Sequence, residues 1–335
     1  MNKKFFAVIL TAAVFSLTAC RNYIGDNREY FETVFAMDTV MTLKAYGKNA
    51  KAAITQAKKE ISFLDSALNR KKADGEIYKI NESGSGEVSD TTAEIIDKAV
   101  EISKSTDGAF DITIAPVMDL WGFYTKEFYV PDKDETTAAL KKVDYKNIIG
   151  DNKRVILKNN AQIDLGGIAK GYLSDKIAEI FENYGVSSGI LSLGGNVMAI
   201  GKKPDGNCWN VAVENPDGSS FIGYLEVTDA CVVTSGGYQR FFEKDGKVYH
   251  HIIDTRTGTP ANSGLKSVSV ICESGALADG LSTALFVMGL EKGIDYWREN
   301  DGFDIVFVTD DGKIYITSGI ESAFSSENDF TVIKR

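Results

Sequence analysis

The apolar run from Phe5 to Val14, entered by Lys3 and Lys4, is the tightest constraint in this sequence. It is too short to cross a bilayer, which takes about 20 apolar residues. A basic start, a short apolar stretch and small residues after it have the form of a secretory signal. What folds is then the remainder. Removing residues 1–19 leaves 316 of the 335 residues, enough for one large domain, or two intimate ones, with a sizeable core. Besides Cys20 there are only Cys208, Cys231 and Cys272, with no Cys-x-x-Cys pattern. This argues against a disulfide framework and a cysteine-rich zinc site, and leaves a single disulfide open. Cys231 and Cys272 sit in apolar runs and read as small buried hydrophobes. Two histidines, His250 and His251, are too few for a multi-histidine centre, so any metal should be a hard cation on oxygen ligands.

Leu17-Thr18-Ala19-Cys20 resembles the bacterial lipobox. In that reading Cys20 carries the lipid and becomes the first mature residue, residues 20–30 form a tether, and residues 31–335 form the working domain. The protein then acts outside the cytoplasm, lipid-anchored to the bacterial cell membrane. Loss of the two signal lysines takes the formal net charge from −10 to −12. Such an acidic chain is a poor partner for nucleic acid or an anionic lipid surface. The lipid, rather than a basic patch, would hold it at the membrane.

Residues 31–46 alternate partially and are rich in β-branched and aromatic side chains, predicting a strand. Apolar residues at Ala53, Ile54, Ala57, Ile61, Leu64 and Leu68 predict an amphipathic helix over 48–68. A short helix over Glu76–Asn81 and another over Thr91–Thr106 follow, the latter capped among Asp90, Thr91 and Thr92 and followed by Gly108. Residues 124–137 read as a polar excursion around Pro131. Strands are predicted at Arg154–Leu157, Gly189–Leu193, Trp209–Val213, Tyr224–Val227, Ala230–Val233, Val248–Ile253, Val268–Ile271 and Ile305–Val308, with helices at Lys170–Tyr184, Ala276–Met288 and Glu291–Glu299. Asp245-Gly246 marks a hairpin turn. Helices mixed with hairpins give an α+β fold, with helices covering sheet faces.

Five places hold residues suited to chemistry. Asp107-Gly108-Ala109-Phe110-Asp111 is locally a helix end and turn. Asp164-Leu165-Gly166-Gly167-Ile168-Ala169-Lys170 opens a helix, where glycines let backbone N–H groups approach an anion and Lys170 adds a full charge. It is neither a Rossmann fingerprint nor a P-loop. Leu193-Gly194-Gly195-Asn196 reads first as a tight turn. His250 to Gly258 gathers His, Asp and Arg; strand alternation puts His251, Ile253 and Thr255 on one face and His250, Ile252 and Asp254 on the other. Asp279 and Thr283 share a face of an otherwise apolar helix by their i, i+4 spacing. A buried carboxylate needs a partner, so Asp279 is either a capping or ion-paired residue or half of a Mg²⁺ ligand pair.

Together these segments resemble the ApbE family, the FAD:protein FMN transferases, from about Phe35 to Gly289. The pieces run in the family's order: Met37-Asp38-Thr39, Ile80-Asn81, Gly108-Ala109-Phe110-Asp111 with Trp121-Gly122-Phe123, Asp164 to Tyr172, Leu193 to Asn196, Thr234-Ser235-Gly236, His251-Ile252-Ile253-Asp254 with Thr257-Gly258, and Ala278-Asp279 with Thr283. The resemblance implies an ApbE-like, T-fold-related sandwich of largely antiparallel sheets covered by helices. It implies Mg²⁺-dependent transfer of FMN from FAD to a threonine hydroxyl of an extracytoplasmic protein, with AMP leaving. By matching positions, Gly167, Asp279 and Thr283 hold the metal. Met37, Lys71, Ala109, Phe110, Asp111, Asp164, Lys170 and Ile253 line the FAD site, and His251 is the base or orienter for the threonine. The implied acceptors are electron-transfer proteins of the Rnf, Nqr or FMN-binding-domain type.

This chain departs from the family pattern at three places. Thr255 stands for the proline usual after His-x-x-Asp, which loosens the turn. Gly280-Leu281-Ser282 offers no obvious third side-chain ligand. Lys71 replaces an aromatic that stacks on the cofactor in many members; a lysine cannot stack but can meet a phosphate. Two other activities fit the same residues: an Mg²⁺-dependent FAD pyrophosphatase giving FMN and AMP, and a flavin-binding lipoprotein without turnover.

Overall fold

The structure is a computed structural model that describes residues 27–218 and 220–335. Cys20, the signal and most of the tether lie outside the described residues. A nine-stranded sheet forms the frame: β1 (Glu29–Ala36), β2 (Thr39–Tyr46), β3 (Ser188–Leu193), β4 (Asn196–Gly201), β5 (Ala230–Gly236), β6 (Leu265–Cys272), β7 (Phe303–Thr309), β8 (Ile314–Thr317) and β9 (Phe330–Ile333). Neighbours in the sheet are successive in this numbering. All pairs are antiparallel except β8 with β9.

Helices cover one face. The helices of the described residues are α1 (Ala50–Ala67), α2 (Glu76–Ser83), α3 (Asp90–Ser105), α4 (Ala115–Trp121), α5 (Lys133–Leu140), α6 (Ala169–Asn183), α7 (Gly275–Met288) and α8 (Leu290–Glu299), of which α1, α6, α7 and α8 lie against the sheet. α1 buries Ala53, Ile54, Ala57, Ile61 and Leu64, the stripe expected of a helix lying on a sheet. α7 is enclosed by α3, α6, β5 and β6. Its apolar sequence follows from burial on nearly every side, which is why Asp279 stands out within it. The opposite face of the sheet is covered by three short strands, Trp209–Glu214, Phe221–Val227 and Phe324–Ser325, through Trp209, Val211, Val213 and Leu225. The fold is thus α+β and largely antiparallel, as expected.

Several local expectations are corrected. The strand predicted over 31–46 is a hairpin, broken at Met37 (φ 48°) and Asp38 (φ 58°). Two consecutive left-handed residues make a tight turn usually given to Asn-Gly. β1 starts at Glu29, inside the predicted tether. The cap of α3 is Ser89, whose side chain accepts from the Thr92 N–H at 3.2 Å. Residues 124–137 contain the start of α5, closed by a capping box between Asp132 and Glu135. The strand predicted over Val248–Ile253 ends at His250 and resumes as a two-residue strand, Ile253–Asp254. β4, β8 and β9 were not anticipated. The Asp245-Gly246 turn forms with φ 53° and 73°. Cys231 and Cys272 face each other across β5 and β6 as buried free thiols.

Candidate active site

The site is assembled where α6 begins, α7 crosses it and three loops arrive. The crossing is unusually close. A Cβ at Gly171 would lie 2.0 Å from the Gly275 carbonyl oxygen, and one at Gly275 would lie 2.1 Å from the Ser174 hydroxyl. Asp175 of α6 caps α7, accepting from the N–H groups of Gly275 (2.5 Å) and Ala276 (3.0 Å) and from the Ser274 hydroxyl (3.1 Å). Burial pushes the Asp175 carboxyl up while these bonds oppose the shift. The clamp brings Asp279 against the first turn of α6, where its Oδ2 accepts from the Gly171 N–H at 2.9 Å.

Asp279 is 4% exposed, and among the described residues it has no cationic partner and no hydrogen bond on Oδ1. A carboxylate so buried calls for a counter-charge. Its neighbours supply oxygen donors. The Thr283 hydroxyl lies 3.5 Å from the Asp279 carbonyl and 3.3 Å from the Ser235 hydroxyl, which also meets Ser282 at 2.8 Å. A Cβ at Gly167 would sit 3.8 Å from Thr283 Oγ1 and 3.0 Å from the Phe110 ring, so this glycine brings its backbone close to both. Carboxylate, hydroxyl and carbonyl oxygens suit a hard divalent cation. No group of three or more His, Cys, Asp and Glu occurs among the described residues, so a site here rests on a single carboxylate. Ser282 turns its hydroxyl to the Asp279 carbonyl at 2.9 Å. Ser235 was read from sequence only as part of the Thr234-Ser235-Gly236 piece and was given no role there; a serine near the end of a strand carries no signal by itself.

The Gly-Gly loop is organised by Asp164, whose Oδ1 accepts from the Gly166 N–H at 2.8 Å. Its Oδ2 lies 3.5 Å from Arg70 Nε. Lys170, at the start of α6, has no carboxylate partner among the described residues, and its charge reaches His251. Ala109 and Phe110 are buried beside this loop. Both oxygens of Asp111 are taken, by Thr113 N–H (2.8 Å) and hydroxyl (2.6 Å) and by Tyr145 N–H (2.8 Å), so it shapes the loop that presents Phe110. Met37 is held by its N–H, which donates to Asp65 at 2.7 Å.

The two histidines have different surroundings. His250 uses both ring nitrogens: Nε2 on the Ala261 carbonyl (3.0 Å) and Nδ1 on the Ile252 N–H (3.3 Å). His251 uses one, with Nδ1 3.1 Å from the Arg240 carbonyl. A carbonyl only accepts, so Nδ1 carries the hydrogen and Nε2 is left as the bare acceptor. Burial first, then the charge of Arg240, lower the His251 pKa to about 3. The loop after it is tied down. Thr255 donates to the Gly108 carbonyl at 2.6 Å, a bond no proline could make, and Arg256 pairs with Asp254 at 2.8 Å. Ile253 is buried in an aromatic cluster with Trp121, Phe123 and Phe242, backing the loop from behind. Lys71 lies 3.1 Å from Asp119, which also holds Arg70 at 2.8 Å. The cavity of about 400 Å³ among Lys202, Lys203, Cys208 and Glu226 shares no residue with this constellation.

The fold that carries this constellation, an antiparallel platform with helices crossing above it, is similar to solved flavin transferases. The ApbE protein of Thermotoga maritima matches with a TM-score of 0.84 at 33% identity, over 88% of this chain and 99% of that one. The flavin transferase ApbE of Vibrio cholerae matches with a TM-score of 0.80 at 28% identity, over 88% and 99%. Among curated relatives, the FAD:protein FMN transferase of Treponema pallidum is 33% identical over 319 residues, 88% of each chain. The ApbE family model matches residues 37–307. This chain belongs to the ApbE family and is an enzyme of the transferase class.

Proposed function

We propose that this enzyme transfers FMN from FAD to a threonine hydroxyl of an acceptor protein, releasing AMP, and that it does so with Mg²⁺. The observation that carries this reading is Asp279: a buried carboxylate with no cation of its own, flanked by Thr283 and the Gly167 backbone. Simple flavin binding has no use for it. These three residues would hold the metal, which when bound would neutralise charge on the pyrophosphate under attack.

The chain's own groups account for the rest. Lys170 at the start of α6 attracts the pyrophosphate. The threonine oxygen attacks the FMN phosphorus, forming a phosphoester as the bond to AMP breaks; AMP leaves with the bridging oxygen. The threonine proton passes to His251 Nε2, the nitrogen left bare by the Arg240 carbonyl. His251 is a weak base in the free protein because burial first, and then the charges of Arg240 and Lys170, hold its pKa down. An entering pyrophosphate opposes both charges and raises its basicity.

The reading extends to place and acceptor. The signal and lipobox support a lipid-anchored enzyme working outside the cytoplasm, with residues 31–335 as its catalytic domain, on electron-transfer proteins that expose a threonine. The test mixes the protein, FAD and Mg²⁺ with and without such an acceptor. Flavin fluorescence fixed to the acceptor in a denaturing gel, with equimolar AMP and dependence on Mg²⁺, is the expected outcome. AMP released at the same rate without acceptor would make the enzyme a pyrophosphatase; no AMP in either case would make it a binding protein.

A further inference from the structure

We infer that Tyr124 is the face on which the isoalloxazine ring of the substrate lies; this rests on FAD being the substrate, as proposed above. Tyr124 was not singled out from sequence, because it follows α4 in a polar stretch with no periodic pattern. The structure gives it a fixed place. Gly122 ends α4 with φ 74°, and a Cβ there would lie 2.1 Å from the Glu127 carbonyl oxygen. The chain therefore doubles back tightly, closed by Lys126 N–H to the Gly122 carbonyl (2.9 Å) and Tyr129 N–H to the Trp121 carbonyl (3.2 Å). Tyr124 sits in this closed loop.

Its ring is backed by a cation that cannot swing away. The Arg70 guanidinium lies 4.9 Å from the ring centroid. Arg70 is only 5% exposed and is pinned by Asp119, by the Ala115 carbonyl (3.1 Å) and by Asp164. The Lys71 ammonium stands 5.7 Å from the same centroid, on the same Asp119. Yet Tyr124 keeps 36% of its surface exposed. A half-open aromatic ring held against a buried arginine is what a flat ligand needs.

The surroundings put this ring at the site. The charges of Asp164, Arg70, Asp38 and Arg240 all act on its hydroxyl. These residues come from the Gly-Gly loop, the helix connection after α1, the β1–β2 turn and the loop that fixes His251. Burial raises the phenol pKa to about 12, so the ring is neutral at any working pH. An electron-rich neutral phenol pairs best with an electron-poor ring, which favours the isoalloxazine over the adenine.

The test uses the full chain in magnesium-free buffer, where no turnover occurs, with FAD, FMN and ADP as probes. Tyr124→Ala should weaken FAD and FMN about tenfold and leave ADP unchanged. Tyr124→Phe should bind all three as the wild type does. Tyr124→Trp should hold FMN at least as tightly and quench its fluorescence more strongly. Loss of ADP binding alone would assign the ring to adenine and overturn the proposal. Equal loss of FMN and ADP, or no loss, would overturn it too, the first by making the loop merely structural. Wild-type protein that binds none of the three would overturn the flavin-substrate reading itself, a result distinct from any effect of the variants.

Discussion

The two ends of the site are built by different means. At the α6–α7 crossing, side chains meet backbone N–H groups: Asp175 on Gly275 and Ala276, Asp279 on Gly171. Glycines are there because nothing larger fits. At the other end His251 hangs from one carbonyl, Lys71 from one carboxylate, and Tyr124 from ring contacts. The first end must fix charge at one point and is buried. The second is more open, with 36% of Tyr124 and 44% of the Lys71 side chain exposed. Substitutions should therefore fail differently: added bulk at the crossing should cost the fold, whereas changes at the loops should cost binding or rate.

Gly171→Ala is the strongest probe of that difference. The new methyl would sit 2.0 Å from the Gly275 carbonyl oxygen and 2.7 Å from Asp279 Cβ. The helices must separate, and overpacking of this kind costs about 3 kcal/mol or more when backbone has to move. We expect a melting temperature lower by several degrees together with loss of activity. A variant with wild-type stability and rate would mean that the crossing is far softer than its contacts imply.

Asp279→Asn separates charge from shape at the same end. The amide oxygen can still accept from the Gly171 N–H, so the fold should hold. The negative charge is gone, and on the proposed reading metal assistance worth several kcal/mol goes with it, about 10⁴-fold in rate. FAD transfer across a magnesium titration checks this. Near-normal turnover at saturating Mg²⁺ would remove Asp279 from the metal site.

His251→Ala should lower transfer about a hundred- to a thousandfold while leaving FAD binding within about threefold. His250→Ala should spare transfer, because both of its ring nitrogens are spent on structure. His251 also predicts a pH effect. Its pKa falls from an ordinary 6.5 to about 3 on folding, so between those values the unfolded chain binds more protons than the native one. Stability from this residue is then fully present above about pH 6.5 and is lost as pH falls toward 3. Melting curves from pH 7 to pH 4 should fall less steeply in His251→Ala than in the wild type.

The contrast also explains what the sequence made legible. The crossing could be read, because i, i+4 spacing of Asp279 and Thr283 in an apolar helix is a local signal, and so is Asp-x-Gly-Gly before a helix. The closeness of Gly171 to Gly275 could not, since it joins residues from different helices. At the loops the motif around His251 was readable, but strand alternation was not the reason the two histidines differ. The strand ends at His250, and the Arg240 and Ala261 carbonyls are what distinguish the two rings. The Met37-Asp38 turn was hidden because methionine is not a usual left-handed residue and no glycine follows Asp38, and α5 because its one buried residue, Thr136, makes no apolar stripe. Thr255 was read as a loosening change, whereas its hydroxyl ties two loops together.

Lys71→Tyr should have the smallest effect, and it tests the open end most finely. Its ammonium is already paired with Asp119, which keeps Arg70 after the substitution. Lys71 is 44% exposed at its side chain, and exposed pairs of this kind contribute about 0–1 kcal/mol. Little stability is therefore at stake. A tyrosine here would stand near the ring of Tyr124, which the pinned Arg70 already fixes, so a second aromatic adds contact area without creating the platform. We expect FAD to bind slightly tighter, by no more than about threefold, with an unchanged melting temperature. Tenfold weaker binding would show that the ammonium leaves Asp119 for the pyrophosphate when FAD arrives, and the loop end would then carry phosphate charge as the helix crossing does.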